Sequence, residues 1–231
     1  MPTRSRLTLK SALSLTTLLL SACATQAPVT DGSQWHEVRL PGKQATSYAA
    51  EQKQGRKAWA AVSERSASMW RRHVKVAPHD LGEVRFSWWV DSLVENGSVA
   101  DVAREDAPAR VLFAFQGDVS TLPARTRALF DLAEALTGER PPYATLMYVW
   151  DATVPVGTVI VNPRSDRIRK IVVDSGPGQL GRWRDHRRDL AADYRLAFGA
   201  APGALSSIAL MTDSDNTASQ ARAWYGPVEL N

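Results

Sequence analysis

EVRFSWWVD, residues 83–91, decides the class of this chain. Its even positions, Val84, Phe86, Trp88 and Val90, are all apolar, and its odd positions, Glu83, Arg85, Ser87, Trp89 and Asp91, are mostly polar. Successive side chains of a strand point to opposite faces, so this pattern describes a strand with one buried and one wet face.

Working outward, residues 57–63, 69–77, 109–116, 144–151, 157–162, 168–174, 205–213 and 221–230 are short segments of the same kind, rich in Val, Ile, Trp, Tyr and Phe. Gly, Pro, Asn or Asp often punctuates them. Two stretches break the rhythm. In 122–137, Leu122, Leu129, Leu132, Ala133 and Leu136 fall at helical spacing and Gly138 supplies a stop. In 182–198, Trp183, Arg187, Leu190, Tyr194 and Phe198 form one helical stripe, opposite a charged face with Arg182, Arg184, Asp185, Arg188 and Asp189. Strands joined by short turns, without regular helical crossovers, predict a mainly β fold: a jelly-roll-like antiparallel β-sandwich with two inserted or peripheral helices.

The N-terminus carries a different signal. Arg4, Arg6 and Lys10 form a basic region, the run from Leu13 to Leu20 is apolar, and small residues precede Cys23. That run is shorter than the roughly 20 residues a membrane-spanning helix needs. The quartet Leu20-Ser21-Ala22-Cys23 resembles the bacterial lipobox, which implies cleavage before Cys23 and lipid attachment to it. The expected organisation is a lipoprotein signal peptide over 1–22, a lipidated flexible tether over 23–34, and one β-sandwich domain over 35–231. Ala24 stands where inner-membrane lipoproteins often carry Asp, so the expected place is the outer membrane, facing the periplasm.

Charge and cysteine usage exclude several classes. The chain has 28 basic and 24 acidic side chains, and removing Arg4, Arg6 and Lys10 leaves a near-balanced body. Such a balance predicts no nucleic-acid partner. Cys23 is the only cysteine, so no intrachain disulfide forms, and lipidation would leave no thiol nucleophile. GxSxG, HExxH, P-loop and dinucleotide fingerprints are absent, and His36, His73, His79 and His186 are scattered.

The stretches FSWWVDSL (86–93), PPYATLMYVWD (141–151), RIRKIVVDSG (167–176) and ALMTDSDNT (209–217) resemble the bacterial domain-of-unknown-function family 3047. The likeness runs from about Trp35 to Leu230. It implies a secreted or envelope setting and a sandwich related in shape to carbohydrate-binding jelly rolls.

Arg85, Trp89 and Asp91 share the wet face of 83–91, Tyr148 and Trp150 share one side of 144–151, and Asp151 follows. With Arg110 and Arg169 they form a candidate glycan surface, because sugar C–H faces stack on aromatic rings while carboxylates and guanidinium groups take hydroxyls. The structural alternative puts Tyr148 and Trp150 in the core and the arginines in surface ion pairs. Asp213, Asp215 and Asn216 offer clustered oxygens to calcium, or else form an ordinary Asx-rich turn. The leading expectation is a non-catalytic binder of glycan or another envelope component. Its alternatives are an enzyme on envelope polysaccharide using Asp91 or Asp151, and a scaffold recruiting protein through a charged 182–198 helix.

Overall fold

The computed structural model describes Met1 and residues 34–231. Cys23, the signal segment and the tether lie outside the described residues, apart from Met1 and Gln34.

In chain order the first strands are β1 (His36–Arg39), β2 (Ser47–Lys53), β3 (Arg56–Glu64), β4 (Ala67–Val76), β5 (Glu83–Val90) and β6 (Arg110–Phe115). Helix α1 (Ala124–Thr137) precedes β7 (Ala144–Asp151), β8 (Val159–Val161), β9 (Ile168–Ser175) and β10 (Trp183–Asp189). Helix α2 (Leu190–Phe198) then leads to β11 (Leu205–Asp213), β12 (Gln220–Tyr225) and β13 (Glu229–Leu230). Sheet 1 has the order β1-β4-β11-β6-β7-β9-β8, and sheet 2 the order β10-β5-β12-β3-β2, with β13 paired to β5. The fold is the mainly β, jelly-roll-like sandwich that the alternation predicts. Neighbours are antiparallel except β7 and β9, which are parallel because β8 runs back along β9 and leaves β9 between them.

The even residues of β5 do face the core, where Phe86 stacks on Tyr148 of the opposite sheet at 5.3 Å between ring centroids. Trp88, Phe113, Phe115 and Trp150 complete the aromatic centre, each worth about 1.5–3 kcal/mol or more of burial. Strands β6 and β7 are buried on both faces. Their outer sides are covered by Val99 and Ala107 of the loop after β5, which pack with Leu112, Met147 and Val149. Hence these segments read as unbroken apolar runs.

The structure differs from the sequence expectation in four places. Residues 182–198 are half strand and half helix: β10 pairs with β5 along its length, and Asp189 then caps α2 by accepting from Ala192 N at 2.8 Å. The charged half forms a strand because Arg184 and Arg188 point inward onto buried carboxylates. Arg184 meets Asp174 at 2.9 Å and Arg188 meets Asp193 at 2.7 Å. An edge strand with inward charges also resists pairing with another chain. Strands β1 and β2 carry no apolar alternation because they are largely exposed edges of the two sheets. The segment 221–230 is broken by a jog at 226–228, after which β13 pairs with β5 again. Helix α1 forms as expected, but Leu129, Leu132 and Leu136 face solvent and Phe130 is its buried residue.

Candidate functional site

The outer face of sheet 2 brings three tryptophans into one row. Across β5, Trp89 stands opposite Trp183 of β10 on one side and Trp224 of β12 on the other. Residues opposite one another in antiparallel strands share a face, so the three indoles cross the sheet side by side. Trp89 and Trp183 are half-buried with their ring centroids 6.2 Å apart, edge to face, and Trp224 lies deeper.

A hairpin tip lies over this row. Gln54 and Gly55 both have positive φ, 49° and 77°, which closes β2 and β3 in the tight turn such hairpins favour. The tip reaches β10, at the opposite end of the strand order: Trp183 Nε1 donates to Lys53 O at 3.1 Å, and Arg56 pairs with Asp185 at 2.6 Å. The hairpin therefore folds across the outer face. Lys53 Nζ sits 3.5 Å from the Trp224 ring centroid and 4.8 Å from that of Trp89. Arg222 lies over Trp224 at 4.4 Å and Arg56 over Trp183 at 5.1 Å. Two carboxylates complete the group. Asp91 accepts from Trp89 Nε1 at 2.6 Å and Glu51 from Trp224 Nε1 at 2.9 Å. Aromatic rings, carboxylates and cations together present stacking planes, hydrogen-bond acceptors and hydrogen-bond donors on one surface.

Of the residues selected from sequence, Arg85, Trp89 and Asp91 belong to this side of sheet 2; Arg85 donates to Glu83 at 2.7 Å. The remainder lie elsewhere. Tyr148 and Trp150 are fully buried between the sheets, where Tyr148 donates to Asp193 at 2.7 Å. Burial and the neighbouring Asp193 charge hold the Tyr148 hydroxyl well above its usual pKa. For these two aromatics the core alternative describes the structure, and the expected shared surface with Trp89 does not form. Asp151 is 1 % exposed and accepts from the backbone N–H groups of Val99, Thr153 and Val154, each at 2.7 Å. It holds a loop at the end of β7, while Asp91 follows β5 of the other sheet, so the structure does not bring the two carboxylates together. Arg169 donates to Asp166 O at 3.0 Å. The charged helix proposed for a protein scaffold is strand β10 over its arginine-rich half.

Arg110 and the Asp213 turn form a buried ionic network on the far side of sheet 1. Arg110 donates from Nε and Nη2 to the two oxygens of Asp213, both at 2.9 Å, and from Nη2 to Glu105 O at 2.6 Å. Lys170 meets Glu105 at 2.7 Å. Burial opposes charge on Arg110, but Asp213 and Glu105 hold its pKa above the usual value. Burial also pushes the Asp213 carboxyl up, to about 6, against the pull of Arg110. Asp106, Asp213 and Asp215 present oxygens within 4.8 Å of one another. Protein donors already occupy them. Asp106 takes the backbone N–H groups of Asn216 and Thr217 at 3.2 and 2.7 Å, and Asp215 pairs with Lys43. Asp213 and Asp215 are thus engaged in ion pairs, and Asn216 donates from Nδ2 to Val102 O at 3.4 Å.

The sequence pattern does not single out Trp183, Trp224 or Lys53. The helical reading of 182–198 puts Trp183 on an apolar stripe, although Trp183, Asp185 and Arg187 also alternate as the outer face of a strand. Nothing local ties Trp224 or Lys53 to Trp89; only the sheet order does.

A family model described as "Protein of unknown function (DUF3047)" matches residues 33–229. The chain belongs to the DUF3047 family. No curated protein matches this DUF3047 chain. Among solved structures, similar ones include a family 11 carbohydrate-binding module of a cellulosomal cellulase of Clostridium thermocellum, with 8 % identity, TM-score 0.40, and coverage of 85 % of this chain and 86 % of that one. Another is a thermostable cellulase derived from Cel12A of Rhodothermus marinus, with 12 % identity, TM-score 0.43 and coverage of 86 % and 96 %. A third is the xyloglucanase domain of NopAA, a type three effector from Sinorhizobium fredii, in complex with cellobiose, with 6 % identity, TM-score 0.39 and coverage of 85 % and 97 %. Likenesses this distant say nothing about what a DUF3047 chain binds.

Proposed function

We propose that this DUF3047 protein is a lipid-anchored envelope protein that binds glycan without catalysis, through the tryptophan row on the outer face of sheet 2. The observation that carries the reading is the register that sets Trp183, Trp89 and Trp224 side by side. Strands lie about 4.8 Å apart, so the half-buried Trp89 and Trp183 present neighbouring rings to a sugar, with Trp224 buried beneath Lys53 at the end of the row. Indole faces take the C–H side of a pyranose, while Asp91, Lys53 and Arg56 stand around them for its hydroxyls. Lys53 rests on two of the rings, and a bound sugar shares or displaces it. Anchoring through Cys23 and an outer-membrane location follow from the N-terminal signal alone.

The test is a glycan array probed with the purified protein and with Trp89→Ala and Trp183→Ala. Selective binding that falls at least tenfold in both folded variants supports the reading. An empty array, or binding unchanged in both, sinks it. Repeating the array with calcium chelated reads the Asp213 turn as well: unchanged binding is expected.

A further inference from the structure

Three buried side-chain polar atoms among the described residues lack a hydrogen-bond partner, and they belong to consecutive residues of β4: Trp70 Nε1, Arg71 Nε and Arg72 Nε. All three are donors. Arg71 uses its other nitrogens on Glu139, at 2.7 and 2.8 Å. Trp70 and Arg72 alternate with it and share the inner face of the sheet.

Arg72 stands where the sandwich opens, at the edge formed by β1 and β4 of sheet 1 over β3 and β2 of sheet 2. Two cavities, of about 1030 and 560 Å³, meet there, and both are lined by Arg72 and Val228. Arg72 Nη2 donates to Val228 O at 2.8 Å and so forms a strut across the opening. Its guanidinium carbon lies 5.4 Å from the Trp35 ring centroid. Burial lowers its pKa, with no carboxylate near enough to oppose the effect. An arginine that is half withdrawn from water without an anion is an unusual expense for a fold, because buried charge is ordinarily paired.

The smaller cavity has the remaining features of a ligand site. Trp35 and Trp59 contribute aromatic walls, and its volume falls in the range of ordinary ligand pockets. Its charged lining residues are Glu51, Lys57 and Arg72. The Glu51 carboxylate is already taken on the outer face, by Trp224 Nε1 at 2.9 Å and Arg222 at 3.5 Å. What remains directed at the cavity is cationic, donor-rich and aromatic.

We propose that this inter-sheet cleft binds an acidic sugar, a pyranose bearing a carboxylate. The Arg72 guanidinium, which lines the cavity, takes the carboxylate, and Trp35 and Trp59 take the ring. The site lies on the inner side of sheet 2, separate from the row at Trp89, and does not depend on it.

The experiment is a titration of the isotope-labelled, detergent-solubilised full protein with sodium glucuronate, followed through its indole and guanidinium N–H resonances. Saturable shifts of the Trp70 and Arg72 Nε–H signals are expected, weakened at least tenfold by Arg72→Gln and unaffected by Trp89→Ala. Because losing the strut can unfold the Arg72 variant, Trp35→Leu provides a second readout, with at least a fivefold loss. Glucose is expected to bind at least tenfold more weakly than glucuronate. Equal binding of glucose overturns the carboxylate assignment, and equal binding of inorganic phosphate overturns the sugar. Absence of a saturable response in the parent protein, or its loss on Trp89→Ala, overturns the site itself.

Discussion

Asp174 accepts from Trp88 Nε1 at 2.7 Å and from Arg184 Nε at 3.0 Å, and it meets His186 Nε2 at 2.8 Å. One carboxylate thus ties β5, β9 and β10 together across the sandwich. Burial works to raise its pKa, but the contacts with His186, Arg184 and Trp88 outweigh it and hold the group below its ordinary 3.8. A carboxylate with a depressed folded pKa stabilises the fold fully above the unfolded value. That contribution disappears as pH falls through the folded one. Asp174→Asn is therefore expected to cost about 3 kcal/mol near neutral pH, since it leaves Arg184 facing a buried neutral group. It should also flatten the loss of stability below pH 3.8. Urea denaturation across that range checks both, and an unaltered acid limb would assign the effect to another group. At the same scale, Lys53→Ala removes a cation from two indole faces and is expected to cost about 1 kcal/mol. Thermal unfolding measures it. None of these partners is near its target in sequence, so neither role was legible there. Trp89 was legible, because its exposure follows from alternation within β5 alone.

Helix α1 shows how an element can be legible while its orientation is not. Helical spacing and Gly138, which adopts φ 75° at the C-cap, mark its existence and its end. The leucines that reveal the period do not reveal which way they face: Leu132 is 56 % exposed and Phe130 6 %. Phe130→Ala is expected to cost about 3 kcal/mol and Leu132→Ala under about 0.5 kcal/mol. Chemical denaturation separates them, and equal losses would place α1 against the sheet through its leucines. Strand β10 is the converse case. Its charges suggested a wetted helix, yet Arg184, His186 and Arg188 are opposite Trp88, Phe86 and Val84 of β5 and share their inward face. Charged residues line an interior only where carboxylates wait for them, and Asp174 and Asp193 come from other elements. Arg188→Leu is expected to cost about 3 kcal/mol by stranding Asp193, while Arg187→Leu, on the outer face, costs far less. Paired denaturation curves distinguish the two.

For the whole molecule, no described helix is long and apolar enough to cross a membrane. A Cys23→Ala form is expected to lose incorporation of labelled palmitate and to leave the membrane fraction. Retention of label or membrane association would reject the lipobox reading. Short segments rich in β-branched and aromatic residues, alternating in β5, mark out β3 to β9, β11 and β12, and with them the sandwich class. The order of short motifs was enough for the DUF3047 resemblance. These are local properties of the chain, set by where consecutive side chains must point. Which strands became neighbours was decided only in three dimensions. Register placed Trp183 and Trp224 beside Trp89, buried Tyr148 and Trp150 between the sheets, and brought Arg72 to an opening without an anion. Pairing between distant strands depends on the summed packing of two whole sheets, and no segment of the sequence carries that sum by itself.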